Sequence, residues 1–548
     1  MVQWLYMERW TQVNGFYQIY PRSFRDSNGD GTGDLKGIIE KLDYLKGGEH
    51  SLGIDAVWLS PFYASPMADF GYDIKDYYDV DPIFGTLEDF KQLLYQAHAR
   101  DIKVMIDLVP NHTSDEHSWF KEARSSKVNE KRNWYVWRDP KPNGDPPNNW
   151  LSVFGGSAWT FDEISGQYYL HSFLSKQPDL NWSNEEVRLA MREVMAFWLD
   201  MGVDGFRVDA VRWLSKDEQF RDNPSNPEYD PKIDTDPAHA QTQLYNRFGK
   251  ELFSYLKELT TLVEWYKDRI IVFEDYPDDH NKRLGTRNYQ YLQFYKQVDS
   301  KVALPFNFDG MFTAWGADNF RRFITSFQES LEPGYAPAYC FGNHDQSRLI
   351  SRFGEERARL VSMLQLTLPG LPVIYYGDEI GMEDVTIAPG EIQDAFELQV
   401  PGRGLGRDPQ RSPMQWSDEL HAGFSTHTPW LPVSSCSVAR NVATEQETPQ
   451  SWLSLYQSLL ALRRKYAVLR HGRYSEGKGN TDKLFVFKLE DTLNRCDVIL
   501  NFSDDQIDYR LDRNYDYGYS SLKGEMAPQG QTCTLSSYEG ILLVKSLS

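Results

Sequence analysis

Side chains that could act as acids and bases follow four short apolar runs of the sequence. His112 comes after VMIDLV, Arg207 and Asp209 lie in GFRVDA, Glu274 lies in IIVFED, and Asp345 comes after AYCFGN. If these runs are parallel strands of a barrel, the polar side chains converge at its carboxyl end. A solvated rim or a structural ion-pair network would account for any single acid, but agreement across four strands favours a catalytic site.

Several carboxyl groups in one aromatic cup are what the cleavage of a glycosidic bond requires. One ionised carboxylate attacks or stabilises the oxocarbenium-like carbon, and a second, protonated carboxyl group donates its proton to the leaving oxygen. Arg207 lies two residues before Asp209, so both side chains point to the same side of a strand. We therefore expect Arg207 to keep Asp209 ionised.

Eight strand candidates must position these residues. They are GFYQIY (15–20), AVWLS (56–60), VMIDLV (104–109), GFRVDA (205–210), IIVFED (270–275), LPFNFD (304–309), AYCFGN (338–343) and LPVIYYGDE (371–379). Helix candidates lie between them, and two begin with capping-box spacing, at Thr86 with Asp89 and at Ser183 with Glu186. The alternation predicts the α/β class and fits a (β/α)8 TIM barrel better than an open doubly wound sheet.

Longer segments outside the βα units predict further domains. The catalytic barrel is expected in residues 1–111 and 180–465, with a long loop region at 382–450 after the eighth strand. Residues 112–179, rich in Trp, Pro, Asn and Gly, predict an inserted subdomain B after the third strand. Short alternating segments in residues 466–548 predict a C-terminal antiparallel β-sandwich domain.

Composition excludes several classes of partner. A net charge of -21 over 548 residues disfavours nucleic acid and acidic membrane surfaces. An acidic chain with 14% aromatic residues suits a neutral, polyhydroxylated ligand such as a sugar. The sequence has no run near the ~18 apolar residues of a spanning helix, no export signal at its start, and four widely spaced cysteines. We therefore expect a cytoplasmic protein, a monomer or homodimer, that acts on a small oligosaccharide.

Four segments carry a family resemblance. DLVPNHTS (107–114), GFRVDAV (205–211), IVFEDYP (271–277) and FGNHDQSR (341–348) resemble, in this order, the four signature regions of glycoside hydrolase family 13, the α-amylase family. QPDLNW (177–182) resembles the extra region of its oligo-1,6-glucosidase and α-glucosidase branch. The similarity extends over about 400 residues, from FYQIYPRSF to RSPMQW.

The resemblance implies a role for each matching residue. Asp209 would be the nucleophile, Glu274 the general acid/base, and Asp345 the carboxylate that binds sugar hydroxyls and favours ring distortion. His112 and His344 would bind hydroxyls, Arg207 would lie beside the nucleophile, Tyr72 would stack under the sugar ring, and Phe154 and Phe173 would line the pocket. The implied reaction retains the anomeric configuration through a covalent glucosyl enzyme.

Specificity rests on three further positions of the resemblance. Asp69 and Arg411 match a carboxylate–guanidinium pair that closes the site behind the terminal glucose, which favours an exo-acting α-glucosidase over an endo-amylase. Ala210, directly after the nucleophile, is small enough for an α-1,4-linked leaving group, whereas valine there accompanies α-1,6 activity. Maltose and short malto-oligosaccharides are thus the expected substrates.

The loop DSNGDGTGD (26–34) alternates oxygen donors with glycines, as a loop around a hard cation does. The composition fits a solvated turn equally well, and the resemblance favours a structural Ca²⁺ or Mg²⁺. Its ligands would be Asp26, Asn28, Asp30, the Thr32 carbonyl and Asp34. Catalysis itself is expected to need no cofactor.

Other functions remain compatible with the same scaffold. A covalent glucosyl intermediate can be captured by a sugar instead of water, which would make the chain a glucosyltransferase or an isomerase of the trehalose synthase or sucrose isomerase kind. An α-1,6-specific oligoglucosidase is a second alternative. A non-catalytic binding protein of the same fold is disfavoured because Asp209, Glu274 and Asp345 are all present.

Overall fold

A closed barrel of eight parallel strands forms the centre of the protein. The computed structural model describes Trp10 and residues 12–277, 287–527 and 530–547. The barrel strands are β1 Phe16–Ile19, β2 Ala56–Leu59, β3 Lys103–Leu108, β4 Gly205–Val208, β5 Ile270–Phe273, β6 Ala303–Asn307, β7 Ala338–Cys340 and β8 Leu371–Tyr375. All eight predicted strands are confirmed, because apolar runs buried on both faces are typical of parallel barrels.

Helices surround the barrel on the connections between its strands. The longer ones are Leu87–His98, Glu185–Met201, Leu252–Glu264, Arg287–Val298, Ala317–Ser330, Glu355–Thr367 and Trp452–Lys465. Shorter α-helices are Pro21–Phe24, Leu35–Glu40, Leu42–Leu45, Ser118–Ser125, Asp309–Phe312, Leu349–Phe353, Ala395–Gln399, Val442–Glu447 and Val468–His471. Short 3₁₀ turns include Val211–Leu214, Pro237–Ala240 and Pro409–Arg411.

One of the two predicted capping boxes is correct. Thr86 and Asp89 cap Leu87–His98 reciprocally, as expected. The prediction of a cap at Ser183 is wrong, because Asn184 caps the next helix by accepting the Glu186 N–H. The Ser183 hydroxyl instead donates to Asn181, 2.6 Å away. Adjacent Ser and Asn residues are equally good caps, so the spacing alone selects neither.

Smaller sheets lie outside the barrel. The segment after β3 contains a three-stranded antiparallel sheet of Trp137–Arg138, Gln167–Leu170 and Trp159–Asp162. The strands of the C-terminal region are antiparallel, as expected. One sheet contains, in spatial order, Arg473–Glu476, Leu484–Glu490, Asn494–Asn501, Gly540–Ser546, Tyr517–Ser520 and Gly524–Met526. A separate two-stranded sheet pairs Ile507–Arg510 with Thr532–Leu535. A further pair is Tyr63–Ala64 with Asp76–Val80. The exact domain boundaries stay predictions.

The described residues form a largely apolar interior. No helix in these ranges is long and apolar enough to cross a membrane. The four cysteines, Cys340, Cys436, Cys496 and Cys533, are free thiols. The barrel is thus held together by packing and strand pairing, without covalent cross-links among its described residues.

Candidate active site

A cavity of about 710 Å³ opens at the carboxyl end of the barrel. Ten residues predicted for the site line it: Asp69, Tyr72, His112, Phe154, Phe173, Asp209, Ala210, Glu274, His344 and Asp345. The predicted Arg207 and Arg411 are buried behind this lining. Backbone pairing places the two central acids, since the Asp209 N–H bonds the Leu108 carbonyl at 2.8 Å and the Glu274 N–H bonds the Val208 carbonyl at 3.0 Å.

One guanidinium joins the central carboxylates. Arg207 Nη1 lies 2.7 Å from Asp209 Oδ1, and Arg207 Nη2 contacts Glu274 Oε1. Nη1 also contacts Asp107, a fully buried acid that sequence reasoning did not assign to the site. Asp107 on β3 is the register partner of Arg207 on β4, so neighbouring strands bring the two side chains together. The position of Asp107 in the DLVPNHTS motif could have indicated a role in the site. Its contact with Arg207 depends on strand register, which the sequence does not show.

The four acids around Arg207 have shifted pKa values. Burial raises the pKa of Asp209 and of Glu274, although Arg207 opposes the rise in both. Burial likewise raises the pKa of Asp107 to about 7. Neighbouring carboxylates add to the rise, because each disfavours the ionisation of the others. Arg207 opposes the rise in the pKa of Asp209, as expected, but does not outweigh burial.

Asp345 differs from the other three acids. Burial raises its pKa, but the permanent cations Arg407 and Arg411 oppose burial and help to hold the pKa of Asp345 well below its usual range. Arg411 Nη2 lies 2.9 Å from Asp345 Oδ1 and Arg407 Nη1 lies 3.4 Å from the same oxygen. The cavity thus contains one acid that stays ionised beside acids whose pKa values are raised. Acid–base chemistry needs such a separation of pKa values.

Ala210 adopts a left-handed backbone conformation, with φ 47° and ψ 40°. This conformation is uncommon for a residue with a β-carbon. It turns the chain sharply after Asp209 and directs the Ala210 N–H to Glu274 Oε2, 2.8 Å away. The turn therefore couples the residue after β4 to the acid after β5.

Two neutral histidines and a tyrosine form one wall of the cavity. The Tyr72 and His344 rings stack at 5.4 Å with only 2° between their planes, and Tyr72 Oη lies 2.7 Å from His344 Nε2. Gln18 holds the other ring nitrogen at 2.8 Å. His112 bonds the Tyr72 carbonyl at 3.1 Å and lies 5.1 Å from the Phe173 ring. Burial lowers the pKa of both histidines, so each is an uncharged hydrogen-bonding group at neutral pH.

The predicted pair of Asp69 with Arg411 is wrong. Asp69 Oδ1 pairs with Arg407 Nη2 at 2.7 Å, and Asp69 Oδ2 accepts a hydrogen bond from Gln177. Arg411 is fully enclosed, its Nε donates to the His344 carbonyl at 2.9 Å, and its Nη2 pairs with Asp345 rather than with Asp69. Arg407 lies four residues earlier in GRDPQR, a segment without a helical or strand periodicity that could have distinguished the two arginines.

Arg407 connects several parts of the cavity wall. Besides Asp69 and Asp345, its Nη2 pairs with Asp394 at 2.6 Å. Its guanidinium carbon lies 4.9 Å from the centre of the Phe154 ring, a cation–π contact. The loop after β8, the inserted subdomain and the loop after β2 are therefore joined at one side chain.

The mouth of the cavity includes residues that sequence reasoning missed. Thr235, Asp236, Ala238, His239, Gln243 and Arg247 line it from the connection between β4 and the helix Leu252–Glu264. Trp213 lines it from the same connection, and Phe396 and Leu405 line it from the segment after β8. The only available signal was the unusual length of the β4 connection.

The loop at residues 26–34 closes through its own side chains. Asp26 Oδ2 accepts the Gly31 N–H at 2.8 Å and the Ser425 hydroxyl at 2.6 Å. Asp34 caps a helix by accepting the Gly37 N–H at 2.7 Å. Within the described ranges, no group of three or more His, Cys, Asp or Glu is placed to hold a metal ion. The loop does not form a ready cation cage, and the structural Ca²⁺ or Mg²⁺ stays a prediction.

Comparison with known proteins identifies the family. The model of the alpha-amylase catalytic domain matches residues 18–472. The chain belongs to the α-amylase family. It is 38% identical to an oligo-1,6-glucosidase of Heyndrickxia coagulans, covering 98% of this chain and 99% of that protein. It is 40% identical to a probable alpha-glucosidase of Rhizobium meliloti, with 84% of each chain covered.

Solved structures extend the comparison. The α-glucosyl transfer enzyme XgtA superposes with a TM-score of 0.89 at 36% identity, covering 98% of this chain and 99% of that one. The trehalulose synthase MutB superposes with a TM-score of 0.85 at 33% identity, over 98% and 99% of the chains. The predicted family and fold are confirmed, and the family member described here is a glycoside hydrolase.

Proposed function

We propose that this α-amylase family member is a retaining, exo-acting α-glucosidase that releases terminal α-glucose from maltose and short α-1,4-linked oligosaccharides. The observation that carries the proposal is the bridging of Asp209 and Glu274 by Arg207 at the base of a cavity walled by Arg407 and Asp69. A single guanidinium between two carboxyl groups suits the about 5–5.5 Å separation of a retaining pair better than the about 6.5–9.5 Å of an inverting pair.

In the first step, Asp209 attacks the anomeric carbon while Glu274 protonates the glycosidic oxygen. The bond from the anomeric carbon to that oxygen breaks, the leaving sugar departs with the proton, and glucose is held as an ester of Asp209. In the second step, Glu274 accepts a proton from water, whose oxygen attacks the same carbon and releases α-glucose and the Asp209 carboxylate. Burial raises the pKa of Glu274, which favours the protonated form that the first step requires.

The exo mode follows from the wall behind the sugar. Arg407 is held by Asp69, Asp394 and Asp345, so a chain extending beyond the terminal glucose would have to separate these ion pairs. Breaking a buried pair costs about 3–5 kcal/mol. Asp345, His112 and His344 then bind the hydroxyls of the one glucose that fits.

Two further choices concern the linkage that is cleaved and the molecule, water or sugar, that accepts the glucosyl group. Ala210 lines the cavity beside Glu274 and leaves space for an α-1,4-linked leaving group, which supports maltose over isomaltose. Transfer to a sugar is the second candidate, because the glucosyl transfer enzyme XgtA shares the fold over nearly the whole chain. We propose hydrolysis as the main reaction, with capture of the glucosyl group by a second sugar as a side reaction.

The test is product analysis with maltose, isomaltose, sucrose and soluble starch in parallel, following anomeric configuration by NMR. Release of α-glucose from maltose with little action on starch would support the proposal. Glucose mainly from isomaltose would contradict the Ala210 argument, and β-glucose as first product would contradict retention. New disaccharides as main products would favour a transferase or isomerase.

A further inference from the structure

The segment that carries Arg407 forms a loop after β8, which we call the 394–408 loop. Asp394 and Asp408 lie at its two ends, with 0% and 2% of their surfaces exposed. None of the residues 395–406 between them is buried. The apolar interior of the protein therefore does not fix the shape of this loop, so that polar contacts must do so.

The 394–408 loop forms part of the wall of the active-site cavity. Phe396, Leu405 and Arg407 all line the cavity. The Phe396 ring also packs against Phe154 of the inserted subdomain, with 5.0 Å between the ring centres. A change in the shape of the loop would therefore displace Arg407 and alter the mouth of the cavity.

Reciprocal hydrogen bonds close the neck of the loop, which consists of residues 393–394 and 407–408. Asp394 Oδ2 accepts the backbone N–H of Arg407 at 2.9 Å, and Asp394 Oδ1 accepts Arg407 Nη2 at 2.6 Å. In the opposite direction, Asp408 Oδ2 accepts the backbone N–H groups of Gln393 at 2.7 Å and of Asp394 at 2.9 Å. Each side of the neck thus holds the other through one buried carboxylate.

The side chain of Asp394 binds Arg407 instead of its own helix. Asp394 directly precedes the helix Ala395–Gln399, where an aspartate commonly caps the helix, yet its side chain accepts no N–H group of that helix. Burial raises the pKa of Asp394, but the charges of Arg407 and Arg411 and the hydrogen bonds from Arg407 lower it below its usual range. The carboxylate at the neck is therefore ionised and paired with a cation.

We propose that Asp394 and Asp408 are positioning residues of the active site. By closing the neck, they hold the Arg407 guanidinium where it pairs with Asp69 at 2.7 Å and with Asp345 at 3.4 Å. Neither Asp394 nor Asp408 lines the cavity, so both act through Arg407. The inference rests on the proposed function, in which Arg407 forms the wall behind the terminal glucose.

The two aspartates differ in what the neck requires of them. Asp408 Oδ2 accepts two uncharged N–H groups, and its Oδ1 has no hydrogen-bond partner in the described part of the chain, so an asparagine keeps the oxygen that is used. Asp394 uses both oxygens and its charge, so an asparagine would turn an NH₂ group towards a donor of Arg407. We expect kcat/KM for maltose to fall roughly 10–100-fold in Asp408→Ala and in Asp394→Asn, but less than about threefold in Asp408→Asn.

Steady-state kinetics on maltose, in the wild-type chain and in Arg407→Met, shows whether the neck acts through Arg407. Asp408→Ala should lower kcat/KM in the wild-type chain, but by less than about twofold once Arg407 is already methionine, because two changes that share one partner are not additive. Glu391→Ala, at an exposed acid before the neck, should leave kcat/KM unchanged in both backgrounds. Circular dichroism and urea unfolding establish that each variant is folded, and Asp394→Asn replaces Asp408→Ala in the comparison if the latter does not fold.

The outcomes separate this inference from the proposed function. Equal losses from Asp408→Ala in both backgrounds would overturn the inference, because Asp408 would then support the loop without positioning Arg407. Wild-type kinetics of folded Asp394→Asn and Asp408→Ala would also overturn it, and would leave the wall intact if Arg407→Met still lowers kcat/KM. Wild-type kinetics of Arg407→Met would instead contradict the wall itself, and the inference with it.

Discussion

Replacement of Arg407 by methionine tests the wall that sets the exo mode. The change removes the charge but keeps an unbranched, apolar side chain of similar length. Asp69, Asp394 and Asp345 then lose a partner at 2.7, 2.6 and 3.4 Å, respectively. At an effective dielectric constant of about 20, each contact is worth about 4 kcal/mol before desolvation, and breaking a buried pair costs about 3–5 kcal/mol net.

We expect this loss to appear mainly in catalysis. A cost of about 3–5 kcal/mol corresponds to a fall in kcat/KM for maltose of roughly 10²–10⁴-fold, less any part that appears as lower stability. Action on soluble starch should fall less, since the opened wall admits longer chains. The acid limb of the pH profile should also move to higher pH, because Arg407 helps to depress the pKa of Asp345. Steady-state kinetics on both substrates over pH 4–9 measures these effects.

Two controls make the result decisive. Arg403→Met changes an exposed arginine in the same loop and should leave the ratio of maltose to starch activity unchanged. Urea unfolding of Arg407→Met measures how much of the cost is lost stability. If Arg407→Met keeps the wild-type kcat/KM and the same substrate ratio while folded, the assignment of Arg407 to the wall is refuted.

Four further outcomes are expected. Asp209→Asn should lower turnover at least ~10⁴-fold with an unchanged circular dichroism spectrum, and a substantially active variant would exclude Asp209 as nucleophile. Ala210→Val should lower the free energy of unfolding by ~1–2 kcal/mol, because a β-branched residue disfavours φ 47°. The same change should raise the ratio of isomaltose activity to maltose activity. An unchanged ratio would reject the argument that Ala210 makes room for the leaving group. The kcat/KM for maltose should fall on the alkaline side as Glu274 loses its proton, at a pH above the ~4.3 of a free glutamate, since burial raises its pKa; loss of activity near that value would contradict this. After treatment with EDTA, added Ca²⁺ should raise the Tm of the chain but not of Asp30→Ala, and an unchanged Tm in both would reject the predicted cation.

The barrel was predictable because its strands are short, continuous apolar runs bounded by polar residues. The same runs end in the residues that line the cavity, so the sequence alone places Asp209, Glu274 and Asp345 at one end of the barrel. Contacts that depend on strand register or on irregular loops could not be predicted. Asp107 belongs to the first kind, since its role follows from lying opposite Arg207.

Arg407 belongs to the second kind. Two arginines four residues apart, in a segment of loop and a single 3₁₀ turn, give no periodicity from which to choose the partner of Asp69. The enclosure of Arg411 behind His344 decides the choice, and enclosure is a property of the whole fold. The cap at Asn184 rather than Ser183 shows the same limit on a smaller scale.

The pairing of Arg207 with acids from three consecutive strands also affects how the barrel assembles. Asp107, Asp209 and Glu274 belong to β3, the end of β4 and the end of β5, and each contacts the one guanidinium. A half-formed barrel in which β4 has paired with only one neighbour would bury a charge without its full set of partners, at a cost of several kcal/mol. Intermediates broken between β3 and β5 are therefore disfavoured, and this side of the barrel should form in a single cooperative step, so that recovered activity marks its completion.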